Sequence, residues 1–345
     1  MDARSRTISL SLGGPPSGEP LDHPVLDVVR ARARSGSVPG AREDPHSVAL
    51  VIEGGGMRGV VPAGMAVALE QLGLRDAFDH VYGASAGALV GAAFLAGQAR
   101  LAASLLCEDL PVRAFVDPRR ALRRRPVLSL PYLLDHVAEL VKPVDWDGVL
   151  GSPIPLHPVA SSLGRWAAVD LSGSRTKDEL KSALRASATI PLVAGPPVAR
   201  DDDRLLDASV FEPIPFKTAL AQGRTHLLVL LSRPEGVRRP APSLLERTLG
   251  RRALERVHRG LGGMLDTRGP AYDADVSWLV ARTSEPGAAP WACALRPPAG
   301  VPVVGTLERD RERLAAGVEA GARVIFAAVG GAAQPASSGR SGEKR

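Results

Sequence analysis

Residues 47–97 read SVALVIEGGGMRGVVPAGMAVALEQLGLRDAFDHVYGASAGALVGAAFLAG, and the fold of the chain turns on them. Ser47–Glu53 is an apolar, β-branched run that predicts a strand. Gly54–Gly59 is a glycine-rich turn, and Val61–Leu72 reads as a helix stopped by Gly73. Phe78–Ala84 predicts a second short strand that runs into Ser85, and Ala86–Ala96 a second helix. Two successive strand–turn–helix units of this kind are the start of a parallel sheet, because parallel neighbours need a crossover between them.

The alternation continues outward. Strand-like runs fall at Ile154–Ser161, Trp166–Leu171, Arg204–Leu206, His226–Leu231 and Val276–Ala281. Helical patterns fall at Leu101–Glu108, Leu130–Leu140, Thr176–Ala186, Leu244–Arg259 and Leu307–Val329. The expected fold class is α/β, a mainly parallel central sheet covered on both faces. Residues 1–45 are expected to be a disordered or loosely attached leader with one short helical stretch near Pro24–Arg34, residues 46–331 a single domain, and residues 332–345 a disordered tail.

The 345 residues are 45% hydrophobic and 23% charged, the balance of an ordinary globular protein. Cys107 and Cys293 have no nearby cysteine partner, which predicts two reduced thiols, no zinc site and a cytoplasmic setting. Met1–Pro20 is polar and gives no expectation of a signal peptide. The most apolar stretch, Ala84–Gly97, falls short of the ~18 residues a membrane span needs. A net charge of +6 favours anionic partners without choosing among them.

The glycine turn allows two chemistries. Gly54-Gly55-Gly56-Met57-Arg58-Gly59 is literally the G-x-G-x-x-G of a dinucleotide site. That fingerprint also wants an acid at the end of the second strand, and here Tyr82-Gly83-Ala84-Ser85 supplies none. The alternative is an oxyanion hole. Consecutive glycines let backbone N–H groups converge on one point, and each well-placed donor stabilises a tetrahedral acyl intermediate by roughly 3 kcal/mol. The candidate donors are Gly55, Gly56 and Met57, with Arg58 ordering the loop or meeting an anionic head group. A plain strand-to-helix turn also fits the loop taken alone.

Gly83-Ala84-Ser85-Ala86-Gly87 is G-x-S-x-G between a short strand and an Ala-rich helix, the context in which a sharp turn lifts a serine above a sheet. Ser85 is the candidate nucleophile, and Ala86 N–H a further oxyanion donor. An N-cap serine in a small-residue turn is the bland reading of the same residues. No histidine stands in an obvious catalytic setting. Asp207, at the end of the apolar Leu205-Leu206, is the candidate base; burial would raise its proton affinity. In isolation a turn aspartate after the acidic cluster Asp201–Asp203 is the better reading.

Taken in order, G-G-G-x-R-G at Gly54–Gly59, G-x-S-x-G at Gly83–Gly87 and the partial D-G-[GA] match at Asp207-Ala208-Ser209 resemble the patatin-like phospholipases. The resemblance covers about residues 47–232. It implies a three-layer α/β/α sandwich, a Ser85–Asp207 dyad without histidine, hydrolysis of lipid acyl esters, and no metal or other cofactor. The departure is Ala208-Ser209, where the family has glycines; a turn needing φ > 0 would be costlier there. This keeps open a catalytically silent lipid-binding protein on the same fold, and acyl transfer to an alcohol is open as well. The basic run Arg119–Arg125, followed by Leu128, Leu130, Tyr132, Leu133 and Leu134, is expected to form an interfacial cap over the active site that docks on an anionic membrane, and a solvated loop plus a buried helix fits the same residues. Nucleic acid is not an expected partner, since aromatic support is thin.

Overall fold

The structure, a computed structural model, describes residues 19–330 apart from Leu245. The leader before residue 19 and the tail from 332 lie outside the described residues. In chain order the elements are α1 (Pro24–Ser35), β1 (Val48–Ile52), α2 (Val60–Gln71), β2 (His80–Ala84), α3 (Ala86–Leu95), α4 (Ala99–Ser104), α5 (Trp146–Leu150), β3 (Leu156–Ser162), β4 (Ala167–Asp170), α6 (Lys177–Ala188), β5 (Val198–Arg200), β6 (Asp203–Asp207), α7 (Phe216–Ala221), β7 (His226–Leu230), α8 (Arg251–Val257), α9 (Met264–Ser284), β8 (Trp291–Leu295) and α10 (Arg311–Val329).

All eight strands join one sheet. Five of them, in the order β3-β2-β1-β7-β8, are parallel. Their side chains alternate between two cores, as period-2 geometry requires. Leu50, Ile52, Leu228 and Leu230 face the core shared with α1, α2, α3 and α10, whereas Ala49, Val51, Leu227 and Val229 face the core under α7 and α9. Helices therefore cover both faces. The chain builds one way from β1 to β2 and β3 and the other way through β7 and β8. The strand order thus reverses between β1 and β7, where open α/β sheets bind their ligands.

The β3 edge departs from a parallel sheet. β4 and β6 both run antiparallel to β3, and β5 pairs antiparallel with β6. Val159 pairs with both Ala84 of β2 and Asp170 of β4, and Ala160 pairs with both Val169 of β4 and Asp207 of β6. It follows that β2 and β6 share one edge of β3 and meet end to end.

Several sequence expectations change. The described part of the segment read as a loose leader, residues 19–45, is packed: in α1, Val25, Leu26 and Val29 are fully buried, and Arg32 bridges Asp44 (2.7 Å) and Asp79 (2.8 Å). Val276–Ala281, read as a strand, is helical within the 21 residues of α9, where Tyr272 and Leu279 are buried beneath the sheet. The Leu244–Arg259 helix is divided into a π-helical turn, Glu246–Gly250, and α8.

Candidate active site

Ser85 sits between β2 and α3 at φ 53° and ψ −123°. A residue with a Cβ holds such a conformation at a cost of about 1–3 kcal/mol, so its surroundings must impose it. Backbone packing does. A Cβ on Gly87 would come within 2.4 Å of the Ile52 carbonyl oxygen, and one on Gly83 equally close to the Ala88 Cα. The Ser85 N–H donates to Ser187 Oγ (2.9 Å), and that hydroxyl donates to the Val159 carbonyl (2.5 Å), tying the turn to α6 and β3. Ser85 stands at the N-cap position of α3, yet its hydroxyl makes no capping bond. The bland reading of this serine therefore loses its main support.

Asp207 ends β6, fully buried. Its N–H donates to the Thr189 carbonyl (2.9 Å), and its Oδ1 accepts from the Ser209 N–H (2.8 Å). Its Oδ2 is buried without a well-formed hydrogen bond among the described residues. Burial raises the Asp207 pKa above the ordinary carboxylate range; Ser209 and the nearby Ser85 hydroxyl oppose that rise without cancelling it. Ser85 and Asp207 are thus adjacent but not locked together, as catalytic hydrogen bonds commonly are before substrate binds. Ala208 and Ser209 both keep negative φ, and Ala208–Val210 forms an ordinary 3₁₀ turn. The departure from the glycine pattern after Asp207 therefore brings no backbone strain.

The glycine loop packs straight onto the elbow: a Cβ on Gly54 would meet the Ala84 carbonyl oxygen at 2.7 Å. Gly56 takes φ +60°, and a Cβ there would lie 2.6 Å from the Thr306 carbonyl oxygen. The N–H groups of Gly55 and Gly56 have no acceptor among the described residues. Ala86 opens α3, so its N–H has no intrahelical acceptor. Met57 differs from the expected donor set: its N–H already donates to the Thr306 carbonyl (3.0 Å). Arg58 is buried and orders the loop, with Nε on Ser232 Oγ (3.0 Å) and a second nitrogen on Thr306 Oγ1 (3.4 Å).

Gly54–Gly56, Ser85 and Asp207 line a single cavity of about 460 Å³ at the carboxyl ends of the strands. Behind the elbow lies an apolar cavity lined by Ala86, Leu89, Leu106, Leu133 and Trp146. Leu192 and Leu307 at the mouth are 45% and 38% exposed, and Leu244 on the adjoining segment is 79% exposed. The leucines after the basic run are not an interfacial face. Leu128, Leu130, Leu133 and Leu134 are buried in the core, and only Leu122, 88% exposed, stands free beside the arginines. No helix among the described residues is long and apolar enough to cross a membrane. Cys107 and Cys293 are buried free thiols whose pKa burial pushes up to about 12, which makes them inert. Ser187, Thr306 and a set of cavity arginines escaped sequence reasoning, because only tertiary packing brings them to the motifs.

Comparison with known proteins agrees with this geometry. Residues 50–220 match the patatin-like phospholipase family. The chain is 27% identical over 201 residues to the uncharacterized protein YjjU of Escherichia coli (strain K12), an alignment covering 55% of this chain. It spans about half of that relative, 53% of its length. Loop, elbow and aspartate all fall inside the matched stretch, and residues 50–220 are a patatin-like phospholipase domain.

Proposed function

We propose that this protein is a serine lipid acyl hydrolase that works through a Ser85–Asp207 dyad and an acyl-enzyme. The observation that carries the reading is the pair itself: a serine held in a strained turn with its hydroxyl uncommitted, beside a buried aspartate with one oxygen unpartnered. Ser85 Oγ attacks the ester carbonyl carbon while its proton passes to Asp207. A carboxylate with raised pKa is the stronger base, closer to what a neutral-pH proton transfer needs. The carbonyl oxygen, now negative, takes hydrogen bonds from the open N–H groups of Gly55, Gly56 and Ala86. Collapse expels the alcohol, which leaves with the proton from Asp207. Water then attacks the acyl-serine by the same route in reverse and frees the acid. Every step uses groups of this chain, so the reading calls for no cofactor.

The substrate class follows from the surroundings. A small apolar cavity abuts Ala86, next to the proposed nucleophile, and gives that side of the site an apolar character. Exposed leucines ring the mouth, as expected where a substrate is drawn from a lipid surface. The exposed Arg119–Arg125 turn with Leu122 would add peripheral attraction to an anionic bilayer. The test is a fluorophosphonate probe and a short-chain nitrophenyl ester, applied to wild type and to Ser85→Ala. Labelling and turnover present in the first and absent in the second are expected. Well-folded wild type that neither labels nor turns over would favour the silent binding protein.

A further inference from the structure

A second cavity, of about 560 Å³, shares no lining residue with the one that holds Ser85. Buried Leu128, Leu130 and Ala194 give it apolar walls, and Arg120, Arg125 and Arg185 line it as well. Few of these charges are matched. Arg185 is held by Asp135 (2.9 Å). Arg120 spends one nitrogen on the neutral carbonyls of Arg113 (3.0 Å) and Ala114 (2.9 Å). The Arg125 side chain has no hydrogen-bond or ion-pair partner among the described residues. Two guanidinium charges thus border an apolar cavity with no carboxylate to answer them. An anion with an apolar body completes such a site.

The walls of this cavity also hold the proposed catalytic pair. Ser187, near the end of α6, accepts the Ser85 N–H (2.9 Å), and the Thr189 carbonyl accepts the Asp207 N–H (2.9 Å). Thr189 and residues 194–198 line the second cavity, while residues 190–193 between them line the first. A bridge between Pro191 and Gly195 closes this turn. Within it Leu192 takes a φ of 67°, a left-handed conformation that a residue with a Cβ holds only under constraint. The Val193 carbonyl accepts the Leu128 N–H (2.9 Å), so the two walls already meet at one point. A ligand spanning them would brace the turn, and through it the backbone that fixes Ser85 and Asp207.

With Ser85 as the nucleophile of an acyl hydrolase, the free acid left by hydrolysis is an anion of this kind. Resting on that reading, we infer that the second cavity is a regulatory site for a free fatty carboxylate, whose head group meets Arg120 and Arg125 and whose tail lies on the leucines. The forked donors of arginine match a carboxylate. Occupancy raises kcat, because a braced turn narrows the range of geometries open to the catalytic pair.

The test titrates sodium octanoate, below its micelle concentration, into Ser85→Ala and into Ser85→Ala with Arg125→Gln, followed by calorimetry. Arg125 is exposed, so its replacement leaves the core intact. The expected result is saturable binding in the first protein and about tenfold weaker binding in the second. Octanol, a tail without charge, and inorganic phosphate, a charge without tail, should both bind at least about tenfold more weakly than octanoate. Phosphate binding as tightly as octanoate would overturn the proposal. On a short-chain nitrophenyl ester, octanoate should raise the kcat of wild type by roughly fivefold with KM unchanged, and leave the kcat of Arg125→Gln where it was. A rise in KM alone would place octanoate at Ser85 and overturn the site. A response that needs anionic vesicles would assign the arginines to a bilayer and overturn it too. Binding that depends on Arg125 supports the site even where no ester is turned over. Equal binding by both proteins sinks it even if hydrolysis is fast.

Discussion

Two aspartates, one half-buried and one fully buried, flank the same strand, one register step apart. Asp170 of β4 pairs with Val159 of β3, and Asp207 of β6 pairs with Ala160. Asp170 is saturated: its Oδ2 accepts from His157 (2.7 Å), Gln222 (2.9 Å) and the Ser172 hydroxyl (3.0 Å), and its Oδ1 from the Ser172 N–H (2.9 Å). Burial alone would raise its pKa, but His157, Gln222 and Ser172 together bring it below the ordinary value. Asp207 has one firm donor, an orphaned oxygen and a raised pKa. Their hydrogen-bond accounts differ in kind: the satisfied carboxylate holds structure, and the unsatisfied one is the candidate for chemistry.

The sharpest way to break this contrast is the same substitution at both sites. Asp207→Asn should lower kcat by about 10³-fold or more, since an amide cannot take the serine proton. Asp170→Asn should lower it by less than about tenfold. Ester turnover of the two purified variants checks this, and the reverse order would exchange their roles. The pH profile sharpens it further. Asp207 must be ionised to act, so the acid limb of kcat/KM should fall at a midpoint above the usual carboxylate range. A limb at or below the ordinary carboxylate value would deny Asp207 the role of base.

Stability should move in opposite directions. Asp170 has a lowered folded pKa, so its contribution is present above its unfolded pKa and lost as pH falls through the folded one. At neutral pH, Asp170→Asn should destabilise by about 1–3 kcal/mol, read as a lower Tm. Asp207 has a raised folded pKa, so the folded state binds more protons than the unfolded one between the two values, and stability falls as pH rises through that window. Asp207→Asn should therefore raise Tm at neutral pH, by roughly 1 kcal/mol of stability. A fall in Tm at both sites would erase the distinction. A further effect is expected at Ser187, whose hydroxyl anchors the elbow N–H. Ser187→Ala should reduce kcat by about tenfold with little change in KM, measured on the same ester.

Much of this was legible in the chain itself. The strands β1, β2 and β7 announce themselves because burial on both faces demands uninterrupted apolar residues. The two glycine motifs are legible because backbone touches backbone there and no side chain fits. What escaped depends on tertiary context. Val198–Arg200 is three residues at a sheet edge, too short for a pattern, and Trp291–Leu295 has no β-branched residue to mark it. Val276–Ala281 has strand-like composition, but packing beneath β7 and β8 holds it helical. The polar face of α1 suggests a leader, yet two of its charges are satisfied by the folded body: Arg32 by Asp44 and Asp79, and Arg30 by the carbonyls of Ala328 and Val329.

The end-to-end meeting of β2 and β6 makes β3 a ruler. Serine and aspartate are delivered by strand ends that never pair with each other, and both are measured against consecutive residues of this third strand. A slip of one residue by β6 would move Asp207 by about 3.3 Å and turn its side chain to the other face. Spacing in the catalytic pair is therefore a property of sheet register, while the loops that join these strands can vary in length without touching it. Covalent capture of Ser85 during refolding would then time the docking of β6, because a serine without its base reacts slowly. Labelling that reached its final rate before β6 was protected from hydrogen exchange would show that the ruler is not needed.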